Sequence, residues 1–305
     1  MIGELNKENS ASFRIALKVK DYMQLMKFTL SFTVVFSCVV CYLLAPPVVA
    51  FYWPGIIMLF LGGMLITGAA NAINQAVEKD TDAVMRRTAK RPVASGRMSQ
   101  EEAYIFAFIA GTLGVWIMYE YFNLESALIS AASLFLYSFI YTPLKKVNSI
   151  AVLVGAFPGA LPCLIGWVAG FPRHEPVLWT GGLILFAIQF LWQFPHFWAI
   201  AWVAHGDYSR AGFKLLPAEK GPTKFTAIQC ILYAVMMIPV GMLPYYFGMS
   251  GFVSLWIVLI CNIFLVIQCI RLYIEMDAKA ARRVMFSSYI YLPIVLLSLL
   301  ADKVH

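Results

Sequence analysis

Two adjoining stretches decide how this chain folds: PGIIMLFLGGMLITGAA at residues 54–70 and NAINQAVEKDTDAVMRRTAKRPVASG at residues 71–96. The first contains no charged residue, as is typical of a helix that spans a membrane. If that helix continues into the second stretch at about 100° per residue, Asn74, Glu78 and Asp82 share one face. The sequence therefore predicts a column of amide and carboxylate groups at one end of a membrane helix.

Placing the two carboxylates of this column side by side is energetically unfavourable, because like charges repel and a buried charge loses its hydration. A cation between Glu78 and Asp82 offsets both costs. Mg²⁺ suits the position because it takes oxygen ligands, retains waters and binds phosphate oxygens. Arg87, Lys90 and Arg91 follow, and an arginine fork matches the geometry of a phosphate group. We therefore favour a Mg²⁺–diphosphate site over the alternative, a helix end that reaches the cytosol with ordinary surface charges.

The composition places the whole chain in a membrane. Of its 305 residues 61% are hydrophobic and only 13% are charged, whereas a soluble domain carries roughly 25% charged residues. The net charge of +7 does not indicate nucleic-acid binding, because the basic residues lie in loops between apolar runs. All six cysteines lie within apolar segments, so no disulfide framework is expected.

Apolar segments of about 20 residues are long enough to cross a bilayer, and nine are present. We predict an all-α integral membrane protein with a single nine-helix domain at residues 25–301. A cytoplasmic N-terminal tail at residues 1–24 and a short C-terminal tail at residues 302–305 would flank it. The predicted spans are residues 25–45, 54–78, 102–121, 124–142, 149–170, 177–204, 223–246, 251–272 and 284–301.

Basic residues also predict the orientation. Of the 23 lysines and arginines, all but Arg173 and Lys303 lie in the N-terminal region or in the loops on its side of the membrane. Basic loops stay in the cytoplasm, so the N-terminus is predicted inside and the C-terminus outside.

Acidic residues near the N-terminus argue against a transit peptide, and no cleavable signal is visible. We expect a bacterial plasma membrane protein.

A second polar cluster occurs in QFLWQFPHFWAIAWVAHGDYSRAGFKLLP at residues 189–217, at the end of the sixth predicted span. His196 and Asp207 are among its polar members, and aromatic residues such as Trp198 surround them. Asp207 would complete a diphosphate–metal site opposite the first column, and aromatic faces would stabilise a developing cation. The alternative is an aromatic belt at the membrane interface around a histidine with satisfied hydrogen bonds. Lys145, in the short loop of residues 141–148, lies on the same predicted side, where it either serves this site or only sets the orientation.

These motifs resemble the UbiA superfamily of intramembrane prenyltransferases. Asn74, Glu78 and Asp82 match its first acidic motif, Asn-x3-Asp-x3-Asp, with Glu in place of the middle Asp. The segment FPHFWA at residues 194–199, followed by Asp207, is similar to the branch of the superfamily that acts on haem. The second acidic motif of the superfamily is reduced here to Asp207. The pattern M-x-R-T-x-x-R-P…G of that branch is matched by Met85, Arg87, Thr88, Arg91, Pro92 and Gly96.

The resemblance implies a helical bundle around a central cavity open to the cytoplasmic side. It implies Mg²⁺-dependent transfer of the farnesyl group of farnesyl diphosphate to a vinyl group of haem B, with release of diphosphate. The product would pass to a haem A synthase or to the assembly of a terminal oxidase, and membrane lipid would surround the chain. The implied catalytic and metal-binding residues are Asn74, Glu78, Asp82 and Asp207. The implied diphosphate-binding residues are Arg87, Lys90, Arg91 and Lys145, and the implied haem-binding residues are His196 and Trp198.

Three alternatives remain open from the sequence. In the first, the chain is a prenyltransferase whose acceptor is an aromatic acid or a quinone precursor, although the FPHFWA segment argues against it. The second is an ion-coupled transporter. The acidic residues of transporters usually lie at the bilayer midplane on broken helices, whereas those of this chain lie at the end of a predicted span. The third is a haem-binding assembly factor without catalysis, which would leave the acidic column without a role.

Overall fold

The computed structural model describes the backbone of residues 2–218 and 221–304, and the side chains within those ranges from residue 13 onward. In these ranges the regular elements are helices, and a single isolated bridge pairs Ser250 with Lys303. Met1, Lys220 and His305, which belong to the predicted tails and a predicted basic loop, lie outside the described residues. The helices are α1 (Ile2–Leu25), α2 (Phe28–Leu44), α3 (Trp53–Val77), α4 (Lys79–Val84), α5 (Gln100–Tyr121), α6 (Leu124–Phe135), α7 (Thr142–Leu144), α8 (Ala151–Ala169), α9 (Trp179–Val203), α10 (His205–Arg210), α11 (Lys224–Tyr246), α12 (Phe252–Glu275) and α13 (Ala278–Ala301).

The helices confirm the prediction of an all-α membrane protein. In the described ranges eight helices are long and apolar enough to span a bilayer, with α6 and α7 counted as one span through the π-helical turn Leu136–Tyr141. The count reaches nine if Phe13–Leu25 and Phe28–Leu44, which are bent by 52°, are taken as one broken span. Large apolar side chains on the outside of the bundle, such as Phe108 at 75% exposure, form the surface that lipid would contact.

The helical path is interrupted near the beginning of the chain. Residues 2–25, which include the predicted N-terminal tail, form a helix, and the path breaks before α2, where Lys27 has a left-handed backbone with φ 48°. At the break, backbone carbonyl groups lose their helical hydrogen-bond partners, and side chains of α3 donate hydrogen bonds to them. Gln75 Nε2 donates to the carbonyl of Leu25 at 2.9 Å, and Asn71 Nδ2 donates to that of Met26 at 3.1 Å. Because an unpaired backbone group is costly in an apolar environment, these two amides of α3 hold the break in place.

Close helix contacts depend on small residues. A Cβ atom added at Gly166 of α8 would lie 1.9 Å from the carbonyl oxygen of Cys38 on α2, which no side chain can tolerate. Around this contact, α8 packs on α2, α6 and α9, while α9 also packs on α11 and α13. The helix α3 packs along α5 and α2. This arrangement fixes the ends of α3, α7 and α9 relative to one another, and those ends carry the polar segments.

The two basic residues predicted on the opposite side, Arg173 and Lys303, bind backbone carbonyl groups in the structure. Lys303 Nζ donates to the carbonyls of Leu43, Ala45 and Val48 at 2.8 Å each, and burial lowers the pKa of this ammonium group. Arg173 donates to carbonyls at the end of α5. Both cations therefore satisfy carbonyl groups at helix ends.

Candidate active site

The acidic column lies where α3 ends. The helix stops at Val77, and Glu78 forms a junction with φ −94° and ψ 14° before the short helix α4. The expectation of an unbroken helix to Asp82 was therefore wrong. Backbone bonds from Glu78 N to Asn74 O at 3.0 Å and from Asp82 N to Glu78 O at 2.7 Å nevertheless maintain the four-residue spacing across the junction. The side chains of Asn74, Glu78 and Asp82 are all buried.

Each of the two buried carboxylates has a cation beside it. Lys145 Nζ lies 2.6 Å from Glu78 Oε1, and Arg91 Nη1 lies 2.9 and 2.7 Å from the two oxygens of Asp82. A buried carboxylate is strongly destabilising unless it is paired, so these contacts explain how two acids coexist at the end of a membrane helix. The structure thus brings Lys145 and Arg91, two of the predicted diphosphate-binding residues, to the acidic column.

Aromatic rings and a backbone bond hold Lys145 in place. Its ammonium group lies 4.8 Å from the ring centroid of Tyr141 and 5.6 Å from that of Phe213. Its carbonyl oxygen accepts a hydrogen bond of 2.9 Å from the backbone N–H of Lys214. The loop after α7 and the loop after α10 are therefore joined next to Glu78.

Lys27 is a residue of this site that the sequence analysis did not assign to it. Its Nζ donates to Asn74 Oδ1 at 3.0 Å, and the break between α1 and α2 carries it there. The amide nitrogen of Asn74 is buried without a hydrogen-bond partner among the described residues. A signal was present, because a lysine within an apolar run requires a partner at membrane depth. The sequence did not show which residue, 47 positions away, would be that partner.

Asp207 lies in α10 and is partly exposed, where it forms an ion pair with Arg210. Among the described residues no group of three or more His, Cys, Asp or Glu side chains is placed to hold a metal ion. The structure therefore does not join Asp207 to Glu78 and Asp82 in a preformed metal cage. The ion pair with Arg210 would have to open for Asp207 to act as a metal ligand.

The remaining two predicted diphosphate residues lie after α4 and are exposed. Arg87 Nη2 donates to the hydroxyl of Tyr208 at 2.9 Å, which links this segment to α10. The backbone carbonyl of Lys90 accepts from Arg97 at 3.0 Å, and its own side chain is exposed. Tyr208 packs on Phe213, whose ring lies near Lys145, so Arg87 is linked to Lys145 through two aromatic rings, whereas Lys90 lies on the rim.

The donor chemistry of the column fits a hard divalent cation. Asn74 Oδ1 and the carboxylate oxygens of Glu78 and Asp82 are hard oxygen ligands, and Mg²⁺ completes its coordination with water and phosphate oxygens. In the structure these oxygens contact Lys27, Lys145 and Arg91. The site thus combines oxygens for a metal ion with cations for an anionic ligand.

His196 lies between α9 and α13. Its Nδ1 is 2.8 Å from Ser288 Oγ, and that hydroxyl donates to the carbonyl of Met285 at 2.6 Å. Because the hydroxyl hydrogen is used in this way, the serine accepts from His196 Nδ1–H, which leaves the lone pair on Nε2. The ring of Trp192 stacks on the imidazole at 4.6 Å, and that of Tyr289 packs on it edge-on at 4.9 Å.

Trp198 lies on another side of α9 and packs against Phe194 and against Tyr233 of α11, with ring centroids 5.4 Å apart in each case. Its indole N–H is buried without a partner among the described residues. The structure therefore does not bring His196 and Trp198 together as a pair of haem contacts.

These features define a class of protein. A bundle of membrane helices holds two buried carboxylates and three cations at one end, beside the aromatic rings of Tyr141 and Phe213. Such a site suits an intramembrane enzyme whose substrate has an anionic, metal-binding head and an apolar body.

Comparison with known proteins identifies the family. Residues 34–290 match the model of the UbiA prenyltransferase family. A protoheme IX farnesyltransferase of Cytophaga hutchinsonii is 44% identical over 291 residues, which cover 95% of this chain and 100% of that protein. The enzyme of the same description from Flavobacterium johnsoniae is 40% identical over 97% of this chain and 99% of that protein. The chain belongs to the UbiA prenyltransferase family and, within it, groups with the protoheme IX farnesyltransferases. It is therefore an enzyme, a membrane prenyltransferase, rather than a transporter or a non-catalytic assembly factor.

Solved structures share the fold. A digeranylgeranylglyceryl phosphate synthase superposes with a TM-score of 0.77 at 21% identity, over 93% of this chain and 98% of that one. A UbiA homologue from Archaeoglobus fulgidus, solved with GPP and Mg²⁺, has a TM-score of 0.60 at 13% identity, over 92% of this chain and 99% of that one. The helical bundle is thus the UbiA fold.

Proposed function

We propose that this prenyltransferase transfers the farnesyl group of farnesyl diphosphate to a vinyl group of haem B. The bond between the farnesyl C1 and the diphosphate oxygen breaks, and C1 bonds to one vinyl carbon. Water adds as hydroxide to the other vinyl carbon, its proton is released, and diphosphate leaves. The observation that carries the proposal is the pair of buried ion pairs, Glu78–Lys145 and Asp82–Arg91, at the end of a membrane helix. The names of the relatives from Cytophaga and Flavobacterium support the choice of acceptor.

Asn74, Glu78 and Asp82 would hold the divalent cation, with Asp207 as a further carboxylate once it leaves Arg210. Bound Mg²⁺ would neutralise charge on the departing diphosphate. The Archaeoglobus homologue was solved with GPP and Mg²⁺, which is the same kind of ligand pair. Within this chain, the three residues that supply these oxygen ligands are buried.

The cations of the site would bind the diphosphate oxygens. Lys145 and Arg91 already lie at the column, and the exposed Arg87 and Lys90 would add charge from the rim. Lys145 and Arg91 are held in place before the reaction, so they stabilise the charge that develops on the leaving group with little reorganisation.

We expect Lys27→Gln to raise the KM for farnesyl diphosphate by about tenfold to a hundredfold, because a hydrogen bond from a charged group contributes about 1.5–3 kcal/mol. The KM for haem B is expected to stay unchanged. Steady-state kinetics with each substrate varied in turn measure both values. Lys18→Gln is the matched control, because Lys18 forms an ion pair with Glu102 away from the column. An unchanged KM for the diphosphate substrate would remove Lys27 from the site.

His196 would contact haem, through the lone pair that its hydrogen bond to Ser288 leaves on Nε2. We expect His196→Ala to weaken haem B binding by at least tenfold and to leave farnesyl diphosphate binding unchanged. Ser288→Ala is expected to have a smaller effect in the same direction, because the ring loses its preferred tautomer. Absorption titration with haem B and equilibrium binding of the diphosphate measure the two affinities. Equal losses of both ligands in His196→Ala would contradict this assignment.

The proposed function is tested directly with the purified chain in lipid nanodiscs, supplied with farnesyl diphosphate, Mg²⁺ and either haem B or 4-hydroxybenzoate. We expect haem B to gain the mass of one farnesyl group and one hydroxyl group, and diphosphate release to stop when a chelator removes the metal. Prenylation of 4-hydroxybenzoate alone would establish the aromatic-acceptor alternative instead.

The orientation and destination of the enzyme are part of the proposal. The end of the bundle that carries the acidic column faces the cytoplasm of a bacterium, the N-terminus lies on that side of the plasma membrane, and residues 25–301 form the catalytic domain. The product passes to a haem A synthase or to oxidase assembly. Reporter fusions at the N-terminus and after α13 test the orientation, and cytoplasmic activity at both positions would contradict nine spans.

A further inference from the structure

A cavity of about 310 Å³ lies beside the acidic column, between the loop after α7 and the segment that begins with α10. Two of its walls are shared with the site. Phe213 lines it and also packs against the ammonium group of Lys145, and Tyr208 lines it and also accepts the hydrogen bond from Arg87. The cavity is therefore separated from the proposed diphosphate position by single side chains.

The polar part of the lining consists of hydrogen-bond donors. Lys214, His205, Ser209 and Asn148 line the cavity. Asn148 Oδ1 accepts from the backbone N–H of Ile150 at 3.0 Å, which leaves the two N–H donors of its amide for a ligand. No acidic side chain lines the cavity in the described part of the chain, and none of the described acidic residues forms an ion pair with Lys214. This lining suits an anionic group that accepts several hydrogen bonds.

The position of His205 is fixed by its surroundings. A Cβ atom at Gly221 would lie 2.5 Å from the imidazole Nε2, and Gly221 has a φ of +91° that favours glycine. The hydroxyl of Ser209 lies 3.3 Å from the same nitrogen. Contacts with Gly221 and Ser209 therefore restrict the position of the His205 imidazole in the cavity wall.

The apolar part of the lining includes Val147, Ala201 and Leu216. At about 310 Å³ the cavity is at the lower end of the range for ligand sites, which is roughly 300–1,000 Å³. Its volume suits one edge of a large flat ligand that has carboxylates on that edge and apolar atoms behind them. Haem has this form, because its two propionate groups lie together on one side of the macrocycle.

We propose that this cavity binds the propionate edge of the haem acceptor, with Lys214 and His205 as the main carboxylate ligands. The inference rests on the proposed function. It places the acceptor next to the leaving group, because Tyr208 and Phe213 contact the cations of the diphosphate site on their other side. It also gives a role to the hydrogen-bond donors that line the cavity, which the proposed binding of the metal and the diphosphate does not use.

The test compares haem B with haem B dimethyl ester, in which both carboxylates are esterified. We expect Lys214→Gln, and more strongly Lys214→Gln with His205→Gln, to weaken binding of haem B by about tenfold or more in absorption titrations of the full chain in nanodiscs. The same variants should bind the dimethyl ester as the unmodified protein does, and their KM for farnesyl diphosphate should not change. Lys146→Gln is the matched control, because Lys146 is exposed on the same loop and does not line the cavity.

Three results would overturn the inference: equal losses for haem B and its diester, no loss for either, or a raised KM for farnesyl diphosphate alone, which would assign the cavity to diphosphate. The absorption titration does not depend on turnover. If the unmodified protein binds haem B but does not farnesylate it, the proposed function fails, and the cavity is still tested by the comparison of the two haem forms.

Discussion

Asp82→Asn and Glu78→Gln are each expected to lower turnover by about a thousandfold or more, while the helical bundle stays folded. A thousandfold loss corresponds to about 4 kcal/mol of transition-state stabilisation, and loss of a single oxyanion-stabilising group alone costs about a hundredfold to a thousandfold. Each substitution retains the shape of the side chain and removes the negative charge that a divalent cation requires. Initial rates of diphosphate release over a range of Mg²⁺ concentrations measure the effect.

The matched control is Asp80→Asn. Asp80 is on the same short helix, α4, two residues before Asp82, but it is exposed, whereas Asp82 is fully buried. We expect Asp80→Asn to retain full activity. If Asp82→Asn is as active as Asp80→Asn, the carboxylate column does not hold the metal, and the proposed function loses its main support.

The fold could be predicted from the sequence because charge is costly in a bilayer. The chain places its charged residues between the apolar runs, so most helix ends fall within a few residues of the predicted ones. Two interruptions were not predicted: the break before α2, and the junction at Glu78 that separates α3 from Asp82 in α4. At both places buried polar groups, such as Gln75 on the carbonyl of Leu25, stabilise a departure from regular helix. Such stabilisation depends on residues distant in sequence, and hydropathy does not show it.

Sequence periodicity predicted which polar residues near the end of α3 share one face, but it did not predict their contacts with residues distant in the chain. The spacing of Asn74, Glu78 and Asp82 followed from periodicity, but the contact from Lys27 to Asn74 depends on how two helices meet. Helical periodicity also argued against a shared haem contact by His196 and Trp198. These residues are two positions apart on α9, and residues at that spacing do not face the same side of a helix.

Asp207 has a cation close to it in the sequence. It forms an ion pair with Arg210, three residues later in α10, a spacing at which side chains of one helix meet. This spacing was visible in the sequence, but the prediction of Asp207 as a metal ligand did not take it into account. The contacts that Lys145 and Arg91 make with Glu78 and Asp82 were not predicted, because each joins residues more than one helical turn apart.

Arg91→Gln is expected to destabilise the protein more than any other single substitution in the site. Arg91 is the cation that contacts both carboxylate oxygens of Asp82, which has no solvent exposure. Removing one member of a buried ion pair leaves the other charge unpaired, at a cost of about 3–5 kcal/mol. Denaturant unfolding in mixed micelles measures the loss, and Arg87→Gln, at an exposed position, is expected to change stability by less than about 0.5 kcal/mol.

The double variant Arg91→Gln with Asp82→Asn separates stability from chemistry. With both charges removed, the buried pair becomes two neutral amide side chains, and we expect most of the lost stability to return. Activity is not expected to return, because neither the metal ligand nor the diphosphate-binding arginine is present. If the double variant remains as unstable as Arg91→Gln, the arginine stabilises the fold through other contacts. If Arg91→Gln alone is as stable as the unmodified protein, the ion pair between Arg91 and Asp82 does not stabilise the fold.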